Sequence, residues 1–262
     1  MRPAVPPVWN TTALAPRVLR RRAAVKGLLL LGVGGAVRAQ VPTAGASRVP
    51  RFSTAPIGTE LPPGWVHETL PKVERANRYG LVTDAGETVL HVQSRASAST
   101  LVAVLPLPPA PAATLQWRWK VSRSLAGSDL RLKAGDDYAA RLYVLFDLPL
   151  AALDFGDRMR IQAARALAGR EIPTAALCYV WGHAQPVGTL APNPYTDRVR
   201  MVVVDSGNTH AGQWRTVRRD LASDWQQAFG GPMPGIRAIA VGADTDNTGD
   251  QVEAWFADVV VG

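Results

Sequence analysis

The chain has 262 residues, 47% apolar and 19% charged, with a formal net charge of +8. That composition is ordinary for a globular protein and excludes a fibrous or wholly disordered one. The charge sits at the start: residues 1–39 hold seven of the 29 basic residues and no Asp or Glu, which leaves 22 basic against 21 acidic residues elsewhere. A near-neutral remainder lacks the basic footprint that a phosphate backbone requires, so nucleic acid is excluded as a partner.

The first element read from the sequence is a leader. Arg20-Arg21-Arg22 and Lys26 precede an apolar stretch from Gly27 to Val37. About eleven residues are too few to span a bilayer. Val37-Arg38-Ala39 supplies a small-residue cleavage site before Gln40. A basic start, a short apolar run and such a site define a signal peptide over 1–39. Arg21-Arg22-x-x-x-Lys26 makes it twin-arginine-like, although Ala24 stands where Phe is usual. The protein is therefore expected in the periplasm or outside the cell, with no stable membrane span after cleavage. Residues 40–62, rich in Pro, Ala, Ser and Thr, read as a flexible lead-in.

From 63 to 262 the pattern is that of one domain. Short apolar or alternating segments predict strands near 65–70, 79–84, 87–94, 101–105, 114–121, 138–146, 175–181, 198–205, 213–219, 236–243 and 252–261. Gly- and Pro-rich turns separate them. Asp157 to Ala168 places Ile161, Ala164, Leu167 and Ala168 at helical spacing, with Gly169 as a stop. Asp220 caps a short helix that puts Leu221, Trp225 and Phe229 on one side and ends at Gly230-Gly231. The fold class is mainly β: an antiparallel β-sandwich of the jelly-roll, concanavalin-like or galactose-binding-like kind, with one or two short helices. The lone Cys178 lies in an apolar run, so it forms no intrachain disulfide and reads as a small core residue.

Several blocks are familiar together: Trp117-Arg118-Trp119-Lys120-Val121, Gly135-Asp136-Asp137, Arg141 to Phe146, Tyr179-Val180-Trp181-Gly182, Asp224 with Phe229-Gly230, and Asp244 to Thr248. In order and spacing they resemble the bacterial exported family catalogued as domain of unknown function 3047, over roughly residues 60–261. The resemblance carries no activity with it. Its end, Trp255 to Val260, is also similar to the closing strand of jelly-roll carbohydrate-binding modules.

Strand alternation sorts the candidate functional residues. Ala140, Leu142, Val144 and Phe146 form an apolar row, with Arg141 and Tyr143 opposed to it. If the strands share one sheet, its non-core face collects Arg118, Lys120, Arg141, Tyr143, Tyr179, Trp181, Glu253 and Trp255. Rings stack on sugar C–H faces and charged groups bond hydroxyls, so this face is a candidate carbohydrate site. The competing reading is a covered face with structural ion pairs. Asp137 is a ligand candidate and, with a second acid such as Glu253 or Asp244, a catalytic one. Of Asp136 and Asp137, adjacent in an extended segment, one is expected to pair with Arg141 and the other to cap a turn. Asp244, Asp246 and Asp250 alternate in a Gly-containing loop and are candidate Ca²⁺ ligands; the alternative is an Asx-rich hairpin turn. The four histidines show no metal spacing, and Ser206 lacks a nucleophile-elbow context. Three functions stay open: non-catalytic glycan binding, a polysaccharide-active hydrolase or lyase, and a structural envelope module.

Overall fold

The computed structural model describes residues 49–58, 61–70, 73–105, 114–168 and 173–262. The leader and the first part of the lead-in lie outside them. Thirteen strands are present among the described residues: β1 (Val66–Thr69), β2 (Arg78–Asp84), β3 (Glu87–Arg95), β4 (Ala98–Val104), β5 (Thr114–Val121), β6 (Arg141–Phe146), β7 (Ala175–Gly182), β8 (Leu190–Asn193), β9 (Thr196–Ser206), β10 (Arg215–Asp220), β11 (Ile236–Asp244), β12 (Gln251–Phe256) and β13 (Val260–Val261). They form two sheets. One has seven strands in the order β1-β4-β11-β6-β7-β9-β8; the other has six, ordered β10-β5-β12-β3-β2 with β13 also on β5. Pairing is antiparallel except between β7 and β9, which run parallel.

Alternation builds the core. Leu101, Ile239, Val241, Leu142, Val144, Leu177 and Tyr179 of the larger sheet meet Leu90, Val92, Trp117, Trp119, Ala254 and Phe256 of the smaller one. The other face of the larger sheet is also covered. Val102, Ala240, Leu145, Cys178, Val180 and Val203 form a second cluster with Leu130 and Tyr138 from the long β5–β6 connection. Both faces of β7 are thus covered, and all eight of its residues are buried.

Helix α1 (Phe155–Ala168) buries Ile161. Helix α2 (Leu221–Ala228) starts at Asp220, whose carboxylate accepts from the Ser223 amide at 2.9 Å. It inserts Leu221 and Trp225 into the core. Within the segment read as a lead-in, Val49, Phe52 and Ala55 are buried, and Phe52 stacks on Trp65 at 4.8 Å. Among the described residues no helix is long and apolar enough to cross a membrane.

Candidate functional site

The two sheets separate the residues that the sequence grouped. Arg118, Lys120, Glu253 and Trp255 stand on β5 and β12 of the smaller sheet, Arg141 and Tyr143 on β6 of the larger one. Tyr179 and Trp181 do not join either outer face. They point into the core with no exposure, because on β7 it is Cys178 and Val180 that face outward. The Tyr179 hydroxyl donates to Asp224 at 2.6 Å, and Trp181 Nε1 donates to the Gly207 carbonyl at 3.0 Å. The single convergent face is therefore corrected to two separate sites.

On the smaller sheet, register aligns Lys120, Trp255, His91 and Gly80 in one row across β5, β12, β3 and β2. Trp214 adds a second indole beside Lys120. The Lys120 ammonium lies 4.5 Å from the Trp255 ring and 5.4 Å from Trp214. His91 stacks on the other side of Trp255 at 4.9 Å and bonds Glu253 at 2.9 Å. Lys120 pairs with Asp84, and Arg118 with Glu87 at 2.7 Å. Both flanks of Trp255 are occupied, so it offers a sugar an edge and no free ring face.

On the outer face of the larger sheet, Glu68, Thr100, Gly242 and Arg141 lie in register across β1, β4, β11 and β6. Arg141 is 3% exposed, so every donor it carries needs a partner. Nε donates to Asp244 Oδ1 at 2.5 Å, Nη1 to the Tyr143 hydroxyl at 3.1 Å, and Nη2 to Asp136 Oδ1 at 3.1 Å and to the Asp136 carbonyl. The Tyr138 ring lies 4.6 Å from its guanidinium carbon. Asp136 also accepts from Asn193 at 3.0 Å. Asp137 caps the next loop. Its Oδ1 accepts from the Asn247 side chain at 3.0 Å and amide at 3.3 Å, and its Oδ2 from the Thr248 amide at 2.7 Å and hydroxyl at 2.6 Å. The division of labour expected of the two adjacent acids is the one found.

Asp137, Asp244 and Asp246 come together, each offering an oxygen within 4.8 Å of the others. Burial pushes Asp244 well above the ordinary carboxylate range; Arg141 opposes this and the neighbouring acids reinforce it. Asp246 is raised by burial and then by Asp137. Asp250 does not join them: it pairs with Arg123 and accepts from the Gln251 amide at 2.7 Å. Glu253, read as a partner acid for Asp137, is on the opposite sheet.

Beside Asp244 a small recess opens between β4, β11 and β6, lined by Thr100, Arg141, Tyr143, Gly242 and Asp244 with Leu70 at its edge. Its cavity volume is about 20 Å³, room for one water-sized group. Glycine is required at 242, where a Cβ would meet the Ser99 carbonyl oxygen at 2.7 Å. Thr100 is 8% exposed and its hydroxyl has no partner. The rim beyond Asp136 adds Tyr195, which bonds Asn247 at 3.1 Å and lies under the Lys133 ammonium at 5.2 Å. Thr100, Asn193, Tyr195 and Trp214 were not singled out from sequence. The signal for the rim was the turn Asn193-Pro194-Tyr195, a polar hairpin before an apolar strand.

The family model described as Protein of unknown function (DUF3047) matches residues 63–260, and the chain belongs to that family. No curated protein matches in sequence. Among solved structures, the chain is similar to the enzymatically active domain of tailspike protein 4 from bacteriophage CBA120, at 7% identity and TM-score 0.37, over 78% of this chain and 20% of that one. It thus spans about a fifth of that tailspike domain. Cellulose induced protein Cip1 is similar at 11% identity and TM-score 0.38, over 76% of this chain and 90% of that one. TmCBM61, solved with β-1,4-galactotriose, is similar at 8% identity and TM-score 0.32, over 83% and 98%.

Proposed function

We propose that this family member is an exported protein that binds a polyhydroxylated ligand, a glycan, without catalysis, at the recess between β4, β11 and β6. The observation that carries the reading is the Thr100 hydroxyl, buried and without a partner beside Tyr143 and the Arg141–Asp244 pair. A buried hydroxyl that bonds nothing is costly unless a ligand hydroxyl or an ordered water completes it. Sugar hydroxyls both donate and accept, so one can satisfy Thr100 while another donates to a carboxylate at the mouth. With room for one water-sized group, the recess takes a single sugar hydroxyl and leaves the ring outside. Arg141 makes four hydrogen bonds to protein partners and positions the site from behind.

Paired-carboxylate hydrolysis draws no support from this arrangement. An ionised carboxylate has about four acceptor positions, and four donors from Asn247 and Thr248 already fill those of Asp137. The leader motif supports export.

The test is a glycan array with the full chain, followed by calorimetry on any hit. The reading expects a bound glycan whose affinity drops in Thr100→Val. An array without hits supports the structural envelope module instead.

A further inference from the structure

A recess that admits one hydroxyl also decides which hydroxyl of a sugar can enter. Thr100 of β4 pairs in register with Gly242 of β11, which pairs in turn with Arg141 of β6. The wall around them is uneven: Leu70 and Ala98 bring carbon, and Asp244 brings a carboxylate. Thr100 Oγ1 is itself buried, so a ligand hydroxyl has to be carried in to meet it.

A ring hydroxyl is joined directly to a ring carbon. To bring it to Thr100 the ring and its neighbouring hydroxyls would have to press into the mouth, and the space holds only one water-sized group. The primary hydroxyl of a hexose stands one carbon further out. Its methylene lets O6 enter while the ring stays outside. The methylene then lies along Leu70 and Ala98, and the hydroxyl accepts from Thr100 Oγ1.

Charge narrows the class further. Arg141 is already paired with Asp136 and Asp244. A uronic acid, which carries a carboxylate in place of the hydroxymethyl group, would set a third negative charge against that pair beside Asp244. Arg141 takes Asp244 Oδ1, and Oδ2 receives no hydrogen bond from a described residue, so it is left for a hydroxyl donor of the sugar. A 6-deoxy sugar presents a methyl group and a pentose presents nothing, and either leaves Thr100 without a partner.

We infer that the ligand is recognised through the free primary hydroxyl of a hexose, O6, held by Thr100 with its methylene against Leu70. The inference rests on the glycan reading and deepens it: the ligand class is a glycan of hexoses with O6 unsubstituted.

The experiment is an array and calorimetry on the full chain with oligosaccharides of matched length. Glucan, mannan and galactan carry a free O6, xylan lacks the arm, fucan and rhamnan end it in a methyl group, and polygalacturonate ends it in a carboxylate. Binding is expected only among the first three, at least tenfold tighter than to any of the others. Thr100→Val should remove that preference, and Thr100→Ser, which keeps the hydroxyl, should retain it. A xylan, 6-deoxy or uronate oligomer that binds natively and is lost in Thr100→Val overturns the inference and leaves the glycan reading standing. A hexose oligomer that binds Thr100→Val as tightly as the native chain overturns both, as does a native chain that takes up no glycan. Should Thr100→Val fail to fold, a crystal structure of the native complex decides: O6 on Thr100 Oγ1 upholds the inference, and any other ligand atom, or water alone, in the recess overturns it.

Discussion

The Tyr179 hydroxyl donates to the buried Asp224 carboxylate at 2.6 Å, joining β7 of the larger sheet to α2. Arg219 completes the carboxylate through Nε at 2.8 Å and through Nη2. An aromatic residue that reads as a sugar platform is thus a tie across the core. Tyr179→Phe removes one bond to a charged group and is expected to cost about 1–3 kcal/mol. In urea the midpoint should fall while the slope stays constant. Ligand affinity should not change; a selective loss of binding would return Tyr179 to the site.

Thr100→Val tests the recess from the stability side. Replacing an unpartnered buried hydroxyl with a methyl group of similar shape removes a desolvation cost. Stability is expected to hold or to rise by about 1 kcal/mol. A loss of that size in chemical denaturation would mean that the hydroxyl is bonded in the folded protein.

Asp137→Ala strips four hydrogen bonds from the Asn247–Thr248 loop and leaves its two amides without their acceptor. The expected loss is about 2–4 kcal/mol, below the sum of the separate bonds because water reaches the loop. Amide hydrogen exchange should accelerate at 247 and 248 before the rest of the sheet. Unchanged protection there would contradict the capping role.

Acid should loosen the smaller sheet. The hydrogen bond from Lys120 holds Asp84 below the usual carboxylate range, against partial burial and with help from Trp214. Arg123 does the same for Asp250. A depressed folded-state value contributes stability above the unfolded carboxylate pKa, about 3.9, which is lost as pH falls through the folded value. Tm should therefore fall as pH drops below about 4, and Asp84→Asn should flatten that fall. Identical pH profiles for the two proteins would refute the contribution of the Asp84–Lys120 pair.

Cys178 is fully buried, and burial pushes its thiol up to about 12. A thiol reagent at pH 8 should modify it only after unfolding. Rapid stoichiometric labelling of the native chain would show that the outer face of β7 opens.

Much of the fold was legible because strands with one wet face alternate cleanly. β5 and β12 follow their apolar rows, and Asp220 marked α2 by its capping chemistry. β8 was not legible, since Leu190-Ala191-Pro192-Asn193 contains a proline that only an edge strand accepts. The parallel β7–β9 pair left no local trace either. The site was harder. β7 is apolar on both faces, so alternation cannot say which row meets the core, and Tyr179 and Trp181 went to the wrong side. Arg141 was legible as a charged residue in an apolar strand, Asp136 and Asp137 as adjacent acids leading into it, and Asp244 as the start of a polar loop. Thr100 was not, because a threonine in a strand looks the same whether its hydroxyl is bonded or free.

The most direct test of the glycan account compares two variants on one ligand. A glycan that binds the full chain should be titrated against Thr100→Val and Trp255→Ala. The recess predicts at least a tenfold loss for Thr100→Val and little change for Trp255→Ala, whose ring is enclosed by His91 and Lys120. The reverse pattern would contradict it and move the binding face to the smaller sheet.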